Sequence, residues 1–479
     1  MRARTLLGLA VGLTAAAAVL FACSRPAATE WNVLVIVMDT VRGDHLSING
    51  YQRATSPNLD ALARDGANFT QAITAAPRTW QSFTTILTGL YPPHHGVRFI
   101  HDYPLDHKVP TLATTLGAAG YATHAFDRLQ FLRNITGGYG FGDYYDPLIN
   151  TDRGVLEAAW EWMQAPRQQP FFAFVRLNGS HWPYEDSPEE AGFESCEGQD
   201  HSFNERGWRD MGVAPAKLGE GMRMVDPAKY RNFFFTVNFD ARTMQHMKAH
   251  YDAEVHRTDA DIGWLVDQMR AAGTLDKTVI VVTADHGESF GEHGYLFHGP
   301  RVDEPVMRVP LIIRLPPFDR SAKAGVVVDT QVRTADIMPT ILSAVGVPLP
   351  EHLDGISLLP ALGGGAIPTR WAYAESEKDF IGGDPDYYVD GVRGTHRMAR
   401  LPGWKLVYVP KPDGPEQRLY DLTADPGEAH NVAADHPDKV RELQLLLDSV
   451  LAADAHRPEG SKTLTDAEKE QLRQLGYMP

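Results

Sequence analysis

The chain alternates between short apolar runs and stretches with helical spacing. Residues 33–38 (Val-Leu-Val-Ile-Val-Met) form a nearly unbroken β-branched run that stops at Asp39. Such runs mark strands buried on both faces of a parallel sheet. Residues 171–177, 278–283 and 309–315 have the same character. Between them lie helical patterns. Residues 57–66 read as a helix closed by Gly66, and Ile262, Leu265, Val266 and Met269 form a stripe closed by Gly273. Strands alternating with helices predict an α/β fold with a mostly parallel central sheet flanked by helices. The polar, Gly- and Pro-studded stretch 186–240 reads as an insertion at the rim. A break at 363–368 (Gly-Gly-Gly-Ala-Ile-Pro) divides a larger domain, 31–368, from a smaller C-terminal α+β subdomain, 369–479. In the latter, strand-like pieces at 405–409 and 418–422 precede a helix through Val440, Leu443, Leu447 and Val450.

Composition narrows the function more than the fold. Of 479 residues, 43% are hydrophobic and 22% charged, which excludes wholesale disorder. The formal net charge of −16 argues against nucleic acid as a partner. It leaves open an anionic small-molecule, glycan or lipid ester, because a metal ion or a few local cations reverse the field inside a pocket. The two cysteines, Cys23 and Cys196, make neither a disulfide framework nor a thiolate metal site. Arg2 and Arg4 precede an apolar stretch, 6–22, which ends at Cys23. That is the form of a secretory signal peptide over 1–22. The terminal cysteine resembles a bacterial lipobox, which implies lipidation of Cys23, a tether over 23–30 and a membrane anchor. The expected location is the bacterial cell envelope, periplasmic or at the cell surface.

In open α/β sheets, ligands bind beyond the carboxyl ends of the strands. Asp39 follows the first apolar run, Asp285-His286 follows another, and His181 lies just after a third. An aspartate after a strand is usually a turn or cap residue. Several such groups at strand ends are a plausible oxygen and nitrogen site for a divalent cation.

These residues sit in motifs that resemble the sulfatase family of the alkaline-phosphatase superfamily. The motifs include Asp39-Thr-Val-Arg-Gly-Asp44, Thr55-Ser-Pro-Asn-Leu-Asp60 and Leu87-Thr-Gly-Leu-Tyr-Pro92. Further on come His181-Trp-Pro-Tyr184, Asp285-His-Gly-Glu288, Gly291-Glu-His-Gly294 and Leu419-Tyr-Asp-Leu422. Their order along most of 31–479 makes the likeness specific. It implies a hydrolase of sulfate- or phosphate-type esters.

The family's nucleophile lies ten residues before the glycine of Leu87-Thr-Gly89, which is Thr79 here. Sulfatases carry Cys or Ser there, followed by x-Pro-Ser-Arg, and oxidise it to formylglycine. This chain has Gln81 and Phe83 at the proline and arginine positions, and threonine cannot yield that aldehyde. Threonine resembles the phosphodiesterase, phosphonate hydrolase and phosphoethanolamine transferase relatives, which use its oxygen directly. Residues 82–87 read as a helix start, so Thr79 is expected near a helix N-terminus, where a tetrahedral anion is favoured. An N-cap role alone is the commoner use of such a threonine.

The resemblance implies one divalent metal (Ca, Mn, Mg or Zn) on Asp39, Thr79, Asp285 and His286. Thr40 stands where many sulfatases carry a second Asp, and no Asp precedes His181 as in two-metal relatives. His181 and His298 are the expected proton donors, His181 also binding substrate, with Arg42 and Arg98 as anion clamps. Phosphoester or phosphonate hydrolysis is the expected activity. The alternatives are an arylsulfatase-like sulfuric ester hydrolase without formylglycine, and a non-catalytic surface lipoprotein that binds an anionic glycan.

Overall fold

A computed structural model describes residues 31–98, 105–127, 138–144, 151–193, 241–376 and 395–452, apart from positions 183, 185, 187, 295, 318, 320, 321, 412 and 413. The expected signal peptide, tether, Cys23 and Cys196 lie outside the described residues, as does most of the 186–240 insertion.

The strands that build the main sheet are β1 (Asn32–Met38), β2 (Ala67–Phe69), β3 (Ala122–Asp127), β4 (Asp143–Tyr144), β5 (Phe171–Leu177), β6 (Thr278–Ala284), β7 (Leu311–Arg314) and β8 (Val326–Val328). Their order across the sheet is β8-β2-β7-β6-β1-β5-β3-β4. The centre is parallel: β1 pairs β6 on one side and β5 on the other, and β5 pairs β3. The run at 309–315, expected to resemble its neighbours, is antiparallel to β6 through β7. An apolar run has the same composition in either direction, so orientation is not legible from it.

Helices cover the faces: α1 (Pro57–Arg64), α2 (Thr79–Thr88), α3 (Asp152–Gln164), α4 (Ala241–Ala271) and α5 (Ile337–Ala344). Val33 through Val37 are wholly buried, as are Ile280, Val281 and Val282. At about 1.5–3 kcal/mol per fully buried aliphatic side chain, this centre anchors the sheet. The stripe of Ile262, Leu265, Val266 and Met269 lies buried on α4, and Gly273 follows the helix in left-handed conformation. Gly66 differs from expectation. Helix α1 ends on Asp65 in right-handed conformation, and a Cβ on Gly66 would fall 2.5 Å from the carbonyl oxygen of Ile313. That glycine serves close backbone approach, not a left-handed cap.

The C-terminal sheet is antiparallel, in the order β9 (Ala372–Glu375), β10 (Arg397–Leu401), β11 (Trp404–Val409) and β12 (Glu416–Asp421), with α6 (Pro437–Ala452) packed against it. Its Tyr373, Leu406 and Leu419 share a core with Ala75 and Tyr91 of the larger region.

Candidate active site

The site forms at the carboxyl ends of β1, β5 and β6. Asp39 follows β1 and donates its backbone N–H to the carbonyl of Leu177 at the end of β5. Asp285 and His286 follow β6. Asp285 accepts at Oδ1 from the backbone N–H of Thr40 at 3.2 Å and of His286 at 2.8 Å. Thr40 adopts φ 59, rare for a β-branched residue, and its carbonyl accepts from the Tyr251 hydroxyl at 2.8 Å. Strain of this kind persists where the surroundings over-determine the backbone.

Asp39, Asp285 and His286 are wholly buried, with one ligand-capable atom of each within 4.8 Å of the others. The atoms that face one another are Asp39 Oδ1, Asp285 Oδ2 and His286 Nε2, and none has a hydrogen-bond partner. His286 Nδ1 lies 3.0 Å from the carbonyl of Gly287, which fixes its hydrogen there and leaves the Nε2 lone pair facing the carboxylates. Burial pushes the His286 imidazole down to about 4, so it is neutral at neutral pH and fit to be a ligand. Burial, then the nearby Asp39 charge, push Asp285 well above the usual carboxylate range. Burial also opposes ionisation of Asp39, but Arg176, then His181 and His286, hold it below that range. Two buried carboxylates and a neutral imidazole with orphaned, converging atoms fit a divalent cation.

Arg176 was not foreseen. It projects from the end of β5, is 2% exposed, pairs with Asp39 and lies 3.2 Å from Asp127. Its sequence signal was present: a charge near the end of the otherwise apolar Phe171–Leu177 run needs a buried counter-charge.

Thr79 is the first residue of α2, which closes at Gly89 in left-handed conformation. Its side chain is half-buried. The first turn of α2 is tied to the β6 end through Thr74. The Thr74 hydroxyl donates to the Asp285 carbonyl at 2.6 Å and lies 3.2 Å from the Ser82 hydroxyl. The start of the helix that carries Thr79 is therefore tied, through Thr74, to the backbone of Asp285.

Three histidines meet here. The His298 ring lies 4.3 Å from that of His286 and 5.2 Å from that of His181, centroid to centroid. His298 Nδ1 is 2.8 Å from Glu288 Oε1, and the Tyr184 hydroxyl donates to Glu288 Oε2 at 3.0 Å. Glu288 thus orients His298, a role the sequence reading did not assign. Burial, then the neighbouring His286, hold the His298 imidazole well below its ordinary value. His181 turns Nδ1 to the carbonyl of Trp182 at 2.6 Å.

The two arginines expected as anion clamps are engaged elsewhere. Arg98 is bound by Glu375 of β9, Nε–Oε1 at 2.5 Å and Nη2–Oε2 at 2.6 Å, and stitches the C-terminal sheet to the larger region. Arg42 is held by Asp44 and Glu292, each at 2.8 Å, and by the Glu288 carbonyl at 3.1 Å. A buried arginine beside a motif has the same sequence signature whether it grips substrate or a carboxylate.

A second trio, His293, Asp303 and Glu428, is already supplied with cations. Lys405 Nζ is 2.7 Å from Glu428, and Arg301 is 2.5 Å from Asp303.

The comparisons agree with this architecture. The sulfatase profile matches residues 31–347, and that of the N-sulphoglucosamine sulphohydrolase C-terminal region matches 291–455. Arylsulfatase K of Bos taurus is 25% identical, covering 92% of this chain and 84% of its own. An ulvan-active sulfatase of Formosa agariphila is 25% identical, over 84% of this chain and 77% of its own. Among solved structures, the phosphonate monoester hydrolase of Agrobacterium radiobacter aligns with TM-score 0.67 at 22% identity, over 91% of this chain and 98% of that one. A protein solved with its substrate D-glucosamine-2-N,6-O-disulfate aligns with TM-score 0.69 at 22% identity, over 90% and 99%. With a profile match across the whole central sheet, the chain belongs to the sulfatase family of hydrolases.

Proposed function

We propose that this enzyme cleaves a singly charged phosphate-type ester, a phosphodiester or phosphonate monoester, with Thr79 as nucleophile. The observation that supports the reading is a threonine, not an oxidisable Cys or Ser, at the head of α2, a helix tied through Thr74 to the backbone of Asp285, where Asp39, Asp285 and His286 converge. Those three residues, with Thr79, would hold one divalent cation. When bound, the cation offsets the two carboxylates and supplies Lewis-acid activation.

The chain's own residues do the rest. Free N–H groups at the start of α2 favour the oxyanion at Thr79. Thr79 Oγ attacks in line and gives up its hydroxyl proton to a neutral imidazole of the His181–His298 pair, the bond from phosphorus to the ester oxygen breaks, and a covalent threonine ester remains. The proton so taken is passed to the departing alkoxide by His298, set by Glu288, or by His181. Water then attacks the threonine ester and restores Thr79. A direct threonine adduct must be released by cleavage at phosphorus or sulfur. The C–O elimination of the aldehyde hydrate is closed to it, which favours phospho substrates.

A second reading, sulfuric ester hydrolysis without formylglycine, draws on the sulfatase names of the curated relatives. The deciding experiment is a panel of an aryl phosphate diester, a phosphate monoester, a phosphonate monoester and a sulfate, each with added Mn, Mg, Ca or Zn. The account expects the diester or phosphonate to have the highest kcat/KM and about one metal per chain by elemental analysis. A sulfate ester ahead of every phospho substrate would overturn the substrate class.

A further inference from the structure

The turn that carries Asp39 out of β1 is gripped from two sides. On one, Asp39 donates its N–H to the Leu177 carbonyl, and a Cβ on Gly179 would fall 2.9 Å from the Asp39 carbonyl oxygen, so the end of β5 abuts the turn. On the other stands Tyr251 of α4, wholly buried. Its hydroxyl donates to the Thr40 carbonyl at 2.8 Å and accepts from the Arg42 backbone N–H at 2.8 Å. One oxygen thus bridges residues 40 and 42. The phenol ring is fixed where it stands, edge-on against His45 at 5.2 Å, Tyr184 at 5.6 Å and Phe290 at 4.8 Å, centroid to centroid. Burial raises the hydroxyl above its ordinary value, so it keeps its proton and donates at neutral pH.

Thr40 needs an external hold, because φ 59 is unfavourable for a β-branched side chain. On the other side of that dihedral, the Thr40 N–H donates to Asp285 Oδ1 at 3.2 Å. Relaxation of Thr40 to negative φ would turn this N–H relative to the carbonyl that Tyr251 holds. The bond from Thr40, with the one from the His286 N–H at 2.8 Å, occupies Asp285 Oδ1. Asp285 Oδ2 is then left 3.5 Å from His286 Nε2, which is itself 4.0 Å from Asp39 Oδ1.

We propose that Tyr251 is a positioning residue of the cation site: its hydroxyl keeps Thr40 in the left-handed conformation that aims Asp285 Oδ2 at the ion. It acts through Thr40, not on the cation or the ester. The proposal rests on the reading of Asp39, Asp285 and His286 as a cation site, but not on Thr79 being the nucleophile or on the class of ester.

The test is competition for manganese between the full chain and a chelating dye, with Tm measured in parallel. The proteins are wild type, Tyr251→Phe, Thr40→Gly, the double variant and Tyr51→Phe. Phenylalanine at 251 keeps the ring packing and removes only the hydroxyl, and the expected result is about 10- to 100-fold weaker manganese binding. Tyr51→Phe is the control: it gives up a hydroxyl bond to Asp252 Oδ2, 2.7 Å long, and none to the turn. It should lower Tm and leave manganese affinity within about threefold of wild type. Glycine adopts φ 59 without strain, so Thr40→Gly should bind nearly as wild type, and adding Tyr251→Phe to it should cost about threefold or less. A lower Tm for Tyr251→Phe with wild-type manganese affinity would make the hydroxyl structural only and overturn the assignment. So would the full loss persisting in the glycine background. Failure of wild type itself to bind manganese would instead overturn the cation site on which the proposal rests.

Discussion

His298 and Glu288 divide a task between them at the residue scale. Glu288 receives hydrogens from Tyr184 and His298 Nδ1, which turns His298 Nε2 away from the carboxylate. An oriented imidazole matters when the leaving alkoxide is basic, and little when a nitrophenolate departs unaided. Glu288→Ala should lower kcat/KM on an alkyl ester by on the order of 10² and spare a nitrophenyl ester. Glu288→Gln retains an acceptor oxygen and should recover most of the loss. The measurement is kcat/KM for both esters in both variants; equal losses on the two would make Glu288 structural only. The same comparison on His181→Ala and His298→Ala names the proton donor, the larger alkyl-selective loss marking it.

Residue identity at the site was legible where a motif carried it. Asp39, Asp285 and His286 stand together at the strand ends where the sequence reading put them, with the His298 ring beside His286. Arg176 escaped it because its meaning depends on a partner 137 residues away, Asp39, and Glu288 because a motif does not show which imidazole its carboxylate meets. Arg98 and Arg42 drew a substrate role because sequence displays a charge without its partner.

At the scale of elements, buried ion pairs fasten the loop behind His298 to the C-terminal sheet. Glu304 lies 2.9 Å from Arg400 of β10 and 3.2 Å from Lys405 of β11, and its backbone N–H donates to Glu428 at 2.7 Å. Burial opposes ionisation of Glu304, but Arg400 and then Lys405 outweigh it and hold the carboxyl at about 2. The unfolded chain would bind this proton from about pH 4.5 downward. Below that point the unfolded state binds more protons than the folded state, so stability falls with pH until Glu304 itself protonates near 2. The contribution is on the order of 3 kcal/mol, fully present above pH 4.5. Glu304→Gln should start less stable, because Lys405 and Arg400 lose a counter-charge, and should show a flatter stability profile between pH 4.5 and 2. Urea denaturation across that range checks it, and parallel profiles for the two proteins would refute the assignment. Of the main sheet's described strands, the shorter or more polar β2, β3, β4 and β8 were not readable from apolar runs, whereas β1, β5, β6 and β7 were. Their directions were not, since β7 owes its antiparallel pairing to the path of the chain around it.

At the scale of the whole molecule, the composition break at 363–368 is followed by a sheet whose core continues into that of the larger region, through Tyr91 against Trp371 and Tyr373. The C-terminal strands therefore act as a buttress for the site as well as a subdomain. No helix among the described residues is long and apolar enough to cross a membrane. The proposed attachment is a lipid on Cys23, motivated by the basic start, the apolar stretch and the cysteine that ends it. Metabolic labelling with a fatty acid should mark the wild-type protein and spare Cys23→Ala, and equal labelling of both would count against the anchor.

The central claim is that the Thr79 oxygen is the group that attacks. The most direct measurement is kcat/KM on an aryl phosphate diester for wild type, Thr79→Ser, Thr79→Asn and Thr79→Ala, each with saturating metal. A nucleophile predicts partial activity for serine, which keeps the oxygen, and a loss on the order of 10⁴ or more for asparagine and alanine alike. A threonine that only caps α2 predicts asparagine as good as serine, since both cap helices well. Near-native turnover by Thr79→Ala, or asparagine matching serine, would contradict the account.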